Sequence, residues 1–324
     1  MDIVFTDNTN FSRNREEREA MNSDNVDVRT RTEGSIFDPQ QKKADVTIVV
    51  NSCDKYEDAW HPFFECLWHF AGELPYPIIL NTETKQYKSQ HYDVICVNTH
   101  KRFRAPTWSE RFMNVLGKVE TEFVFFLLDD YFLEDRFDME RFEKVVSYMR
   151  EHPDVGIVDI CPHWAESAEE AALNKVKYKN AEDSFVVRNR ESFNITCTPS
   201  VWRTEALRSL IRLHEDVWDF EIYVGARAKQ QGYKVVRYNT RTPAVYEYDY
   251  QVWSGMGITA GKWLPRNRAF FESLGINVDY DRLGILNVSS QDELRRMNRS
   301  NLITMIKKIP RKIRKKITRK KSLR

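Results

Sequence analysis

Short apolar runs alternate with amphipathic stretches along most of the chain, and this alternation predicts an α/β protein. The unbroken apolar run Phe123–Leu128 is too short to cross a bilayer and too uniformly apolar for a half-exposed strand. It therefore predicts a central strand buried on both faces. Further strands are predicted at Val46–Val50, Tyr76–Asn81, Tyr92–Val97, Val155–Ile160, Phe193–Thr198 and Tyr233–Tyr238.

The stretches between these runs have apolar residues at helical spacing together with helix-start and helix-stop residues. His61-Pro62 places Pro at the first helical position, ahead of an apolar stripe. Other helices are predicted to begin at Thr107, Asp138, Thr204 and Trp218. Strands that alternate with helices predict a mostly parallel, Rossmann-like central sheet flanked by helices.

Three segments interrupt the alternation. Residues 1–44 are polar and predict a mostly disordered arm, ahead of an α/β domain over residues 45–285. Cys161–Arg190 is irregular, and we expect loops there that could meet a substrate. Glycines in Trp253–Trp263 predict a bend that could close over a ligand, although their spacing fits neither a P-loop nor a dinucleotide fingerprint.

Residues 286–324 form a basic tail that ends in a predicted amphipathic helix, which Pro310 breaks or kinks near its start. Isoleucines recur there every three or four residues among lysines and arginines, at positions 306, 309, 313 and 317. An anionic membrane surface, a nucleic acid and simple solvation are three possible explanations. The isoleucine stripe favours the membrane, because phosphate binding needs charge but no apolar face, and no nucleic acid partner is expected.

Composition narrows the cellular setting. The chain of 324 residues is long enough for one large α/β domain with extensions or for two smaller domains, and its 41% hydrophobic content is ordinary for a folded protein. The formal net charge of +2 says little about partners. Its five cysteines are widely spaced and mostly lie in apolar runs, so we expect reduced core residues and no zinc site. No signal-peptide pattern or run of transmembrane length occurs, which predicts a cytoplasmic protein, peripheral on the inner face of the membrane if the tail binds there.

Two adjacent carboxylates follow the predicted central strand. Asp129 and Asp130 would lie at the carboxyl edge of the sheet, where ligands of open α/β sheets bind. Adjacent acids at this edge indicate a divalent cation. The alternative is that they cap a turn.

Several short motifs occur in a characteristic order. They are Ser52–Tyr56, Trp108–Arg111, Leu127–Tyr131, Trp218–Glu221 and Gly261–Trp263. This order resembles glycosyltransferases with a glycosyltransferase-A fold, similar to bacterial enzymes that build capsule or lipopolysaccharide from nucleotide sugars.

The resemblance implies a set of donor-binding residues. Ser52, Asp54 and Tyr56 would contact the base and ribose, because a carboxylate accepts from N–H or hydroxyl groups and a ring can stack on a base. Arg111 and Lys262 would pair with the diphosphate. Alternatively, Asp54 organises its turn, Tyr56 packs in the core and Arg111 is a surface residue.

The same resemblance implies Mn²⁺ or Mg²⁺ at the acids, which would neutralise the leaving nucleoside diphosphate. The family's Asp-x-Asp pattern is not kept, because Tyr131 stands at the third place. Either Asp130 is the direct metal ligand while Asp129 reaches the ribose or a metal-bound water, or metal dependence is weakened.

A catalytic base is implied at Glu221, with Asp219 as the second candidate. The alternative is a helix-start acid favoured by the helix dipole. Together these features predict an inverting glycosyltransferase that moves a sugar from a nucleotide sugar, expected to be a UDP-sugar, to a glycan or lipid-linked acceptor. The alternatives are a sugar-nucleotide nucleotidyltransferase and a catalytically silent membrane-surface scaffold.

Overall fold

The computed structural model describes residues 44–99, 105–161, 183–188, 195–239, 243–248 and 257–287. The predicted N-terminal arm, apart from its last residue, and the predicted amphipathic tail helix lie outside these residues. None of the helices described is long and apolar enough to cross a membrane. All five cysteines are free, as expected from their spacing.

One eight-stranded sheet organises the described chain. Its strands are β1 Val46–Asn51, β2 Ile78–Thr82, β3 Val94–Asn98, β4 Phe123–Leu128, β5 Val155–Asp159, β6 Ser184–Val187, β7 Ser200–Arg203 and β8 Lys234–Asn239. Their order is β3-β2-β1-β4-β7-β5-β8-β6, and only β6 and β7 run antiparallel to their neighbours. The predicted α/β fold with a mostly parallel sheet is confirmed.

Six helices of the described chain cover the two faces of the sheet. They are α1 Glu57–Ala71, α2 Trp108–Leu116, α3 Met139–Glu151, α4 Thr204–Leu210, α5 Val217–Gln230 and α6 Pro265–Ser273. Alternate residues of β1 and β4 supply apolar side chains to both faces, with α1, α3 and α6 on one face and α2, α4 and α5 on the other. The unbroken apolar run of β4 is therefore explained by burial on both sides.

Two helix starts follow the local sequence closely. The Thr107 hydroxyl accepts from the Glu110 N–H, and the Glu110 carboxylate accepts in return from the Thr107 N–H, which is a capping box. The Asp138 carboxylate accepts from the Arg141 N–H at 3.0 Å. The helix start at Thr107 and the cap at Asp138 were predicted from the residue types alone.

The predicted start of α1 was wrong. The helix begins at Glu57, directly after a single 3-10 turn over Asp54–Tyr56, so Pro62 lies inside it. Proline inside a helix removes one backbone hydrogen bond and usually marks a break. Here Trp60 and Phe63, beside Pro62, are buried in the core, and this tertiary packing outweighs the local cost.

The predicted strand Phe193–Thr198 was also wrong over residues 195–198, and its first two residues lie outside the described ones. Residues 195–199 form bends, in which Ser200 Oγ donates to the Thr198 carbonyl at 2.8 Å, and the strand begins at Ser200. Such side-chain hydrogen bonds compete with strand pairing. Thr204 likewise does not cap α4: it is the first helical residue, and its hydroxyl donates to the Thr121 carbonyl at 2.9 Å.

The glycine-bearing segment ends in a two-stranded hairpin. Its strands are β9 Ile258–Thr259 and β10 Lys262–Trp263, joined by Ala260 and Gly261, both at positive φ. The N–H of Gly257 donates to the Asp130 carbonyl at 2.6 Å. This bond attaches the base of the hairpin to the acid-bearing turn that follows β4.

Gly257→Ala is expected to destabilise the protein by about 1–3 kcal/mol, because overpacking forces neighbouring atoms to move. An added Cβ would lie 2.0 Å from a ring carbon of Phe132 and 2.8 Å from the side-chain nitrogen of Asn267. Thermal unfolding measures the loss. The control is Ala260→Gly in the same hairpin, which relieves the positive φ of 52° and is expected to leave the midpoint unchanged or raised. Equal midpoints for Gly257→Ala and the wild type would contradict the prediction.

Candidate functional site

The turn after β1 and the acids after β4 meet at the carboxyl edge of the sheet. Asn51 pairs with Leu128 in the register of these neighbouring strands, so Ser52 and Asp129 are brought together. The Ser52 hydroxyl donates to the Asp129 carboxylate. It also accepts from the Trp60 indole N–H, with 2.6 Å between the nitrogen and the oxygen. Two predicted site residues are thus in direct contact, and Trp60, which the sequence did not single out, orients them from α1.

Burial raises the pKa of both acids. It raises the pKa of Asp129, although the hydrogen bonds from Ser52 and Trp60 act in the opposite direction. Burial also raises the pKa of Asp130, and the neighbouring Asp129 charge raises it further. Two carboxylates that repel each other in a partly dehydrated site would be relieved by a cation.

The carboxylates at this edge fit a divalent cation whose remaining coordination positions would be filled by a diphosphate. Among the described residues there is no group of three or more potential metal-ligating side chains. Mg²⁺ and similar ions, however, are commonly held by one or two carboxylates plus substrate phosphates. Asp129 is engaged by Ser52, which leaves Asp130 as the candidate for direct coordination. Metal binding stays a prediction.

The Asp54 carboxylate is surrounded by donors from the loop that follows β2. It accepts from the backbone N–H of Glu83 at 2.9 Å and of Lys85 at 3.4 Å, and from the Thr84 N–H and hydroxyl. Burial raises the pKa of Asp54, but these hydrogen bonds outweigh it, so the pKa is lowered overall. This arrangement matches the alternative in which Asp54 organises the turn; its donor-binding role stays a prediction.

Asp54→Asn is expected to lower the free energy of unfolding at pH 7 by about 1 kcal/mol, since the amide accepts fewer of these hydrogen bonds. At pH values above the ordinary carboxyl pKa, the lowered pKa of Asp54 stabilises the fold. This contribution is lost as the pH falls through the lowered pKa. The difference between variant and wild type should therefore shrink at acidic pH. Urea unfolding at both pH values measures it. The exposed acid Asp93 provides the control Asp93→Asn, and a gap independent of pH would contradict the prediction.

Tyr56 and Arg111 lie near this edge in different settings. Burial raises the pKa of Tyr56, and the charges of Cys53, Asp130 and Asp129 add to the effect, so its hydroxyl lies within electrostatic reach of both acids. The Arg111 guanidinium instead pairs with Glu83 at 2.9 Å and donates to the Pro106 carbonyl. Arg111 is therefore already held by the loop after β2, and its diphosphate role stays a prediction.

Glu221 approaches the same edge from α5. Its carboxylate accepts from the Cys197 N–H at 2.6 Å, and burial raises its pKa to about 7. Burial strongly raises the pKa of Tyr131, and the charges of Asp130 and then Glu221 raise it further. Tyr131 is therefore within electrostatic reach of both Asp130 and Glu221.

The second candidate base has other surroundings. Asp219 is in the first turn of α5, where its N–H donates to the capping Asp216 carboxylate at 2.8 Å. Its charge adds to a raised pKa of Tyr223, for which burial is the larger cause. Because residues two apart on a helix point in different directions, only Glu221 turns towards Cys197.

Lys262 is exposed on β10, in the hairpin attached to Asp130. Lys55, a cation that the sequence did not single out, lies beside the same hairpin: its Nζ would be 3.5 Å from a Cβ added at Gly261. The only feature of the sequence that could have indicated Lys55 as a cation near the site is its position next to Tyr56. Two lysines thus stand near the turn Ala260–Gly261.

The sheet and its acid-bearing edge define a Rossmann-like α/β protein. The order and directions of its strands confirm the predicted Rossmann-like architecture with a mostly parallel central sheet.

No family model matches the sequence, and no curated protein matches it. Similar solved structures include S. aureus TarS 1–349 in complex with UDP-GlcNAc, at 10% identity and a TM-score of 0.42, covering 78% of this chain and 70% of that chain. The complex of TarS 1–349 with UDP has 11% identity and a TM-score of 0.42, covering 82% and 75%. The bifunctional IspDF from Campylobacter jejuni has 11% identity and a TM-score of 0.35, covering 60% and 49%. In another structure of TarS 1–349 the chain spans 60% of that protein.

Proposed function

We propose that this protein is a glycosyltransferase that moves a sugar from a nucleotide-sugar donor to a glycan or lipid-linked acceptor. One observation carries the proposal: the Ser52–Asp129 contact fixes the turn after β1 against the paired acids. The charges of Asp130 and Glu221 both reach Tyr131, which supports placing the candidate base near the same site. In this proposal the paired acids serve a diphosphate-bound cation and Glu221 serves as the base. A UDP-sugar is the expected donor.

The chemistry assigns one role to each group. The Glu221 carboxylate takes the proton of the acceptor hydroxyl, the acceptor oxygen forms a bond to the anomeric carbon, and the bond to the nucleoside diphosphate breaks. A single displacement of this kind inverts the anomeric centre. A divalent cation, when bound, neutralises the charge on the leaving diphosphate, and Asp130 would hold it. Lys55 and Lys262 add positive charge beside the hairpin.

The basic tail supports a further part of the proposal. Residues 306–324 combine positive charge with an isoleucine stripe, which suits the surface of an anionic membrane on the cytoplasmic side. A lipid-linked acceptor would be available at that surface.

A panel of nucleotide sugars, tested by thermal shift with and without Mn²⁺, tests the proposed function. We expect an intact UDP-sugar to raise the unfolding midpoint more with Mn²⁺ than without it, because binding to the native state alone stabilises it. Stabilisation by a nucleoside triphosphate in preference to any nucleotide sugar would favour the nucleotidyltransferase. No stabilisation by any nucleotide would favour the silent scaffold and overturn the proposal.

A further inference from the structure

Large apolar side chains are rarely exposed in the part of the chain that the structure describes. The exposed ones are Val186, Val187, Leu213 and Trp218. The two valines lie on the edge strand β6. Leu213 and Trp218 instead lie on either side of the residue that caps α5, and the Trp218 side chain is 45% exposed. An exposed tryptophan at the start of a helix is the feature that the proposed mechanism has not used.

The position of Trp218 is fixed by its backbone. The Asp216 carboxylate accepts from the N–H of Trp218 at 2.9 Å and of Asp219 at 2.8 Å, which caps the helix. The ring is therefore exposed on a regular helical turn and not on a free loop. A fixed backbone reduces the entropy that is lost when a ligand binds to the ring.

The loop ahead of the cap is held from a distant part of the sequence. Thr107 Oγ donates to the Leu213 carbonyl at 2.7 Å, and Ser109 Oγ donates to the Glu215 carbonyl at 2.8 Å. The buried Glu215 carboxylate accepts from both terminal nitrogens of Arg227, at 2.5 and 2.8 Å. These bonds join the loop to α2 and to the body of α5, so the entire start of α5 is anchored.

Trp218 and Glu221 share one side of α5. Residues three apart on a helix are neighbours on its surface, one turn from each other. The start of α5 lies at the carboxyl edge of the sheet, because Glu221 is bonded to Cys197, just ahead of the antiparallel strand β7. The exposed Trp218 is therefore one helical turn from the candidate base, at the same edge of the sheet.

We propose that the Trp218 indole stacks on the apolar face of a sugar ring in the acceptor, which makes that acceptor a pyranoside. The proposal rests on the proposed function, since Glu221 must be the base that receives the acceptor proton. The negative face of an indole attracts the positively polarised C–H groups that one side of a pyranose presents. A ring held one helical turn from the base would place a hydroxyl of the stacked sugar next to Glu221.

Saturation-transfer NMR tests this without requiring turnover. The full chain is mixed with methyl glycosides of glucose, galactose and N-acetylglucosamine, and with ribitol as an acyclic polyol. We expect at least one pyranoside to receive saturation mainly at the C–H groups of one ring face, and Trp218→Ala to weaken its binding about tenfold. Trp218→Phe, which keeps a smaller aromatic face, should retain part of it. Val187→Ala, at an exposed apolar side chain on β6, is the matched control and should bind like the wild type.

Two results would overturn the inference. In the first, every compound receives saturation, and this saturation is the same in Trp218→Ala as in the wild type. In the second, ribitol binds and no pyranoside does. Thermal unfolding confirms that Trp218→Ala is folded, and Trp218→Leu replaces it if it is not. UDP-dependent stabilisation of the same samples reports separately on the donor site. If UDP does not stabilise the wild type, the result counts against the proposed function. If UDP stabilises the wild type but no pyranoside binds to it, the result counts against the stacking role alone.

Discussion

Glu221→Gln is expected to lower kcat for sugar transfer by about 10²–10⁴-fold, the usual contribution of a positioned general base. The amide keeps the size of the side chain and can still accept from the Cys197 N–H, so the local structure should persist. It cannot take a proton. Initial rates with a UDP-sugar and a pyranoside acceptor measure the effect, while the donor dissociation constant should stay unchanged.

The same residue predicts the acidic limb of the pH–rate profile. Burial raises the pKa of Glu221 to about 7, so the carboxyl is protonated and inactive as a base below that pH. Activity should therefore rise as the pH increases through about 7, and this limb should be absent from the residual activity of Glu221→Gln. Asp219→Asn is the matched control one half-turn away. If Asp219→Asn lost the activity and Glu221→Gln kept it, the assignment of the base would be wrong.

Asp130→Asn is expected to lower kcat/KM by about 10²–10³-fold and to remove the Mn²⁺-dependent part of UDP stabilisation. Asp129 is engaged by Ser52, so replacing Asp130 removes the carboxylate left for a cation. An asparagine in its place also ends the repulsion between the two acids, so the folded state should be no less stable than the wild type. Titration of UDP with and without Mn²⁺, followed by thermal shift, measures both effects.

Asp135→Asn is the control for Asp130→Asn, since Asp135 is an exposed acid five positions along the chain. It should leave activity and Mn²⁺ dependence unchanged. Undiminished Mn²⁺-dependent stabilisation in Asp130→Asn would show that the cation is held elsewhere.

The elements that the sequence predicts correctly are those that local chemistry determines. β4 is an unbroken apolar run because helices cover both of its faces, and the caps at Thr107 and Asp138 need only residues three positions along. β7 could not be predicted, because its bounds depend on pairing with the distant strands β4 and β5. Just ahead of it, the bond from the Ser200 hydroxyl to the Thr198 carbonyl competes with strand pairing. The start of α1 was predicted wrongly at Pro62 for the same reason. The bounds of this helix are set by its burial and not by local propensity.

The site divides in a similar way. The meeting of Ser52 with Asp129 follows from the rule that parallel strands share a carboxyl edge, so their residue types and positions were sufficient. The donors around Asp54 come from Glu83, Thr84 and Lys85, about thirty positions away, and no local pattern indicates them. Trp60 is likewise brought to Ser52 only by the packing of α1.

The antiparallel strand β7 separates the carboxyl ends of β4 and β5. Since neighbouring strands lie about 4.8 Å apart, these two ends are held almost 10 Å from each other. A strand that enters from the opposite direction brings its own leading segment into this interval, and that segment supplies the Cys197 N–H that holds Glu221. The separation between the carboxyl ends of β4 and β5 is thus determined by the sheet itself and not by the surrounding loops, so loops on either side can change without altering it.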